Sequence, residues 1–193
     1  MREIKVYKFE ELPEESKDLA IKKWRDSNDE IFWQSEIFDS FKEVFKMSGI
    51  KIRDYSLGLY SRSIVKFDME DQIGDLSGVR ALAWLENNLL YKLRISRAEY
   101  LKKRKAYLSY GNEYRIGKLK PCPFTGVCYD ETFLESLIED LKSGSTIKEA
   151  YENLADTYEE VLQSEYDDQN SDSYIIDHLI ANEYEFFENG ERV

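Results

Sequence analysis

Apolar residues recur at steps of three and four along most of this chain and alternate only in short runs, a pattern that predicts helices around a small sheet. The longest helical stripe is Ile147, Tyr151, Leu154, Tyr158, Val161, Leu162 and Tyr166, within Ser145–Asp168. Thr146 and Glu149 stand at capping-box spacing at its start. A second stripe, Phe133, Leu134, Leu137, Ile138 and Leu141, is closed by Gly144. Leu12-Pro13-Glu14-Glu15 opens a helix that runs through Ala20 and Trp24 to about Arg25. Another helix, from Asp29 to Ser48, is expected to bury Trp33, Ile37, Phe41, Val44 and Phe45 and to end at Gly49. Leu76, Val79, Leu82, Ala83, Leu89 and Leu90 predict a helix opened by Asp75 or Ser77, and Arg97–Ala106 predicts one more. Ile175, Ile176, Leu179 and Ile180 belong to a short helix capped by Ser171 or Asp172.

Period-two runs mark the strands. Residues 50–60 place Tyr55, Leu57 and Leu59 on one face, and residues 63–69 place Val65, Phe67 and Met69 on another. Residues 2–9 and the segment around Tyr184 and Phe186 are expected to add edge strands. Gly111-Asn112 predicts a turn, and residues 121–128 a loop punctuated by proline and glycine. The expected fold is α+β, a small, mostly antiparallel sheet with helices packed on it and a helical, acidic C-terminal third. Length fits a single domain over residues 1–193, with residues 91–128 as a candidate inserted basic subdomain.

Charge sharpens this outline. The formal net charge is −12, which disfavours a general binder of nucleic acid or of anionic membranes. It is unevenly spread: −4 over residues 1–88, +8 over 89–120 and −16 over 121–193. The opening residues lack the apolar run of a signal peptide, no segment is apolar enough to span a membrane, and two cysteines fit a reducing cytosol. A cytoplasmic protein is the expectation.

Chemistry-bearing constellations are weak. Cys122 and Cys128 lack a four-ligand zinc set, so incidental cysteines outweigh a metal site or a regulated disulfide. His178 has no nucleophile pattern beside it, and a helix-end histidine is the plainer reading. Asp68, Glu70, Asp71 and Asp75 do not fit a calcium-loop spacing and read as a solvated turn. No phosphate-cradling glycine motif is present. No catalytic residue, metal or cofactor is expected, and a metal-assisted enzyme is a distant third reading.

The acidic stretch is the main clue. Glu149, Glu152, Asp156, Glu159, Glu160, Asp167 and Asp168 lie on the polar side of the longest helix against a single lysine, Lys148. They are the candidate partner-binding residues. Carboxylates three or four residues apart on a helix sit about 5–6 Å from one another, a spacing comparable to that of backbone phosphates. Lys102, Lys103, Arg104 and Lys105, among tyrosines in the 89–120 stretch, are the candidate nucleic-acid contacts. Electrostatic pairing with the acidic third, within the chain or across a homodimer, is the simpler use for that stretch.

The segments LPEESKDLAIKKWR, GLYSRSIVKF, LSGVR, CPFTGVCYDE and NEYEFFENG resemble a diffuse group of small proteins from bacteriophages and prophages of Gram-positive hosts, some loosely labelled antitoxins. The resemblance is scattered over most of the chain and carries over no site residue. It implies an accessory phage protein acting inside the bacterial cell. Two functions are therefore expected. One is a non-enzymatic counter-defence inhibitor, anti-CRISPR-like or anti-restriction, whose acidic surface binds a basic, nucleic-acid-handling host protein. The other is an antitoxin that neutralises a partner toxin, with nucleic-acid contact through residues 89–120.

Overall fold

The protein is an α+β fold, mostly helical with two small antiparallel sheets. The computed structural model describes residues 5–27, 34–59, 62–107 and 115–193, the side chains of 104–107 excepted. In chain order the elements are β1 (Tyr7–Lys8), α1 (Glu14–Ser27), α2 (Gln34–Met47), β2 (Lys51–Ser56), β3 (Ile64–Asp68), α3 (Asp71–Gly74) and α4 (Gly78–Leu85). A π-helical segment, Glu86–Leu90, leads into α5 (Tyr91–Leu93), and α6 (Arg97–Tyr107) follows. Then come α7 (Tyr129–Ser143), α8 (Ile147–Gln169), α9 (Asp172–Ala181) and β4 (Glu185–Phe186). The chain divides into two compact units, Met1–Trp33 with Gln163–Val193, and Gln34–Leu162. The basic stretch 91–128 lies inside the second.

In the first unit, β1 pairs antiparallel with β4, Tyr7 opposite Phe186. The end segments thus pair with each other instead of extending the central hairpin as edge strands. Phe9, Leu12, Ala20, Ile21, Ile175, Leu179 and Phe186 form its core. Ser171 caps α9, its hydroxyl accepting from the Tyr174 N–H at 3.2 Å. Gly190 is required where it stands: its φ is +76°, and a Cβ there would lie 2.3 Å from the carbonyl oxygen of Ser16.

In the second unit, α2 and α4 pack on α7, and the β2–β3 hairpin lies against α2. Phe41 is central, its ring 5.2 Å from Phe45, 5.8 Å from Phe133 and 5.6 Å from Tyr158. The antiparallel hairpin carries a bulge at Arg53, between the pairs Ile52–Phe67 and Asp54–Lys66. Ile52 and Tyr55 are three apart and would face opposite sides of a regular strand. The extra residue brings both opposite inward positions, Phe67 and Val65.

Of the expected stripe, the helix over α4 and α5 fully buries Leu89 alone. Ala81, Leu85, Leu89 and Leu93 are at most 1% exposed, whereas Val79 is 83% exposed and Ala83 is also outside. Steps of four overshoot a 3.6-residue turn by about 40° each, so three would wind the stripe about 120° around an α-helix. The wider π turn at Glu86–Leu90 absorbs that drift and keeps Leu89 and Leu93 on the core. Trp33 and Gly111-Asn112 lie outside the described residues.

Candidate functional site

Helix α8 is amphipathic as its sequence predicts. Ile147, Tyr151, Leu154, Tyr158 and Leu162 are buried, with Ala150 and Ala155 between them. The Tyr151 hydroxyl donates to Ser48 Oγ, and burial pushes its pKa well above the usual tyrosine value. At the helix start, the Thr146 N–H donates to Glu149 Oε2 at 2.8 Å, and the Glu149 N–H donates to Thr146 Oγ1 at 3.2 Å. These are the two reciprocal bonds of a capping box. The Thr146 N–H and hydroxyl hold the Glu149 carboxyl below the usual glutamate range.

The seven candidate acids are not equivalent. Glu149 is committed to the cap. Glu159 is half-buried and accepts the Ser63 N–H at 3.1 Å, which ties α8 to the chain entering β3. Glu152, Asp156 and Glu160 are exposed, and none forms an ion pair or hydrogen bond with the described residues. They are successive at i, i+4 and i+8, so they form one line about 12 Å long up the helix. Asp167 accepts from Gln163 Nε2 at 2.9 Å and Asp168 is exposed; both belong to the first unit.

A second acidic centre was not expected from the sequence. Asp130, in the first turn of α7, is fully buried. Its Oδ2 accepts the N–H groups of Phe124 at 2.8 Å, Thr125 at 2.7 Å and Gly126 at 3.1 Å. Its Oδ1 accepts the hydroxyls of Ser40 at 2.7 Å and Thr125 at 2.8 Å. Asp130 therefore organises the loop over residues 121–128. Burial, with the carboxylates of Glu131 and Asp130, pushes the Cys122 thiol up and makes it a poor thiolate. Both cysteines are free, and among the described residues no group of three or more His, Cys, Asp or Glu could hold a metal ion.

The basic stretch is partly used by the fold. Arg94 binds Glu86 through two bonds, at 2.9 and 2.6 Å, and also donates to the Gly117 carbonyl. Lys120 pairs with Glu99 at 3.1 Å. These partners are not acids of the C-terminal third. Lys102 and Lys103 are exposed on α6; the side chains of Arg104 and Lys105 lie outside the described residues. His178 sits among rings, 4.9 Å from Trp24, 5.9 Å from Tyr184 and 6.1 Å from Tyr174. That is a packing environment.

Among the described residues no helix is long and apolar enough to cross a membrane. Compared with protein-family models, curated proteins and solved structures, the chain matches none.

Proposed function

We propose that the protein is a non-enzymatic, phage-encoded inhibitor that acts in the bacterial cytoplasm. Its acidic surface binds a basic host protein that handles nucleic acid, in a counter-defence role of the anti-CRISPR or anti-restriction kind. The observation that carries this reading is the line of Glu152, Asp156 and Glu160, exposed and without ion-pair partners among the described residues. Carboxylates so placed repel one another and gain nothing from the fold, but they match a row of cationic groups on a partner. The antitoxin reading rests on exposed Lys102 and Lys103, and it requires rescue of growth against one toxin.

The test is affinity capture from infected-host lysate, with and without nuclease, followed by salt-titrated binding of the recovered partner. The inhibitor reading expects competition between this protein and nucleic acid for that partner. It also expects Glu152→Gln with Asp156→Asn and Glu160→Gln to weaken binding by several kcal/mol, since close interfacial charge pairs couple by about 1.5–7 kcal/mol. Full activity in that variant, with binding indifferent to salt, would overturn it.

A further inference from the structure

A cavity of about 280 Å³ opens where α3 and β3 meet the first turns of α8. Val65, Phe67 and Met69 supply apolar wall, and four acidic residues, Glu70, Asp71, Asp75 and Glu152, also line it. Two lysines oppose them. Lys66 is drawn to Asp54 at 3.2 Å, across the hairpin. Lys148 lies against Gly74, its Cβ 3.4 Å from where a Gly74 Cβ would stand, and forms no ion pair with the described residues. A Cβ at Gly74 would also touch Met69 Sδ, at 3.6 Å.

We infer that this cavity receives an arginine side chain of the basic partner, an inference that rests on the function proposed above. A guanidinium on a three-carbon stem matches both features of the cavity. The stem packs on Val65 and Met69, the planar head lies against the Phe67 ring, and the carboxylates accept its five N–H groups. Glu152 belongs both to the cavity and to the exposed line on α8, so an anchored arginine sets the register in which further cations meet Asp156 and Glu160. The cluster Glu70, Asp71 and Asp75, which the sequence offers as a solvated turn, becomes the outer wall of the anchor site.

The experiment uses the full chain and two probes: N-acetyl-arginine amide, with its citrulline isostere as neutral control, and a nine-arginine peptide. Amide shifts locate binding and calorimetry measures it. The arginine amide is expected to move the amides of Phe67, Met69, Gly74 and Glu152 in a saturable way, and the citrulline compound is not. Glu70→Gln with Asp71→Asn and Asp75→Asn should weaken the peptide about tenfold, since exposed charge pairs contribute little singly and three are removed together. Lys148→Ala should strengthen it, whereas Lys142→Ala, the same charge change outside the cavity, should leave it nearly unaltered. If the peptide binds along Glu152, Asp156 and Glu160 with the other cavity amides silent and the triple variant unaffected, the cavity proposal falls and the partner reading stands. If neither probe saturates, both fall.

Discussion

The first turn of α7 and the outer face of α8 both present carboxylates, in the same acidic third of the chain, and they use them in opposite ways. Asp130 is buried and accepts bonds from Ser40, Phe124, Thr125 and Gly126. Glu152, Asp156 and Glu160 are exposed and accept none from the described residues. An acid with every lone pair engaged is part of the fold; an acid with none engaged is available to something else. Composition cannot separate the two, because both count as one negative charge.

The largest effect that sharpens this contrast is expected at Asp130. Asp130→Ala leaves three part-buried backbone N–H groups without their acceptor, and leaves the Ser40 and Thr125 hydroxyls only each other, at 3.1 Å. Hydrogen bonds to a charged acceptor contribute about 1.5–3 kcal/mol each, so denaturant unfolding should show a loss of about 3–5 kcal/mol for the group. A loss below about 1 kcal/mol would mean that water replaces the carboxylate, and the loop would not depend on it.

Glu159 tests the middle of the scale. It lies among the acids of α8, yet it holds the Ser63 N–H. Glu159→Ala should destabilise by about 1–2 kcal/mol, the cost of one orphaned, partly buried donor. Partner binding should change less than in the variant of Glu152, Asp156 and Glu160. The reverse ranking would return Glu159 to the binding face.

How far these distinctions were legible in the sequence depends on how local their causes are. The stripe on α8, the Thr146–Glu149 cap and the left-handed Gly49 and Gly144 follow from residues within one or two turns. Asp130 is local only in part: Phe124, Thr125 and Gly126 lie four to six residues before it, but Ser40, the donor from α2, is 90 residues away. Glu159 shares that difficulty, its donor Ser63 being 96 residues away. The bulge at Arg53 and the π turn at Glu86–Leu90 escaped for another reason. Each is a local correction that reconciles two periodicities, and the pattern alone shows the mismatch without showing where it is absorbed. Steps of four from Ala81 to Leu93 were the available signal for the second.

A smaller effect is expected at the cap. Thr146→Ala removes the side-chain acceptor for the Glu149 N–H and should cost about 1 kcal/mol. The Glu149 carboxyl, bonded by Thr146, titrates below its unfolded value. Its contribution is therefore present above the unfolded glutamate pKa, near 4.3, and lost as pH falls through the lower folded value. An acid titration of stability should lose part of its slope in that window in the Thr146→Ala variant. An unchanged slope would place the acid sensitivity elsewhere.

The smallest expected change in stability is the one that decides the comparison. Glu152→Gln, Asp156→Asn and Glu160→Gln together remove two like-charge i, i+4 pairs, each costing roughly 0.2–0.5 kcal/mol on an exposed helix. The variant should be as stable as the parent or more stable by a few tenths of a kcal/mol in dilute buffer. That gain should vanish in about 1 M salt, where the screening length falls to about 3 Å. Loss of partner binding alongside unchanged or improved folding is the signature of a face kept for recognition, because no fold requires charges that repel. A destabilisation above about 1 kcal/mol would mean that these carboxylates are engaged as Asp130 is, and the line on α8 would then belong to the fold.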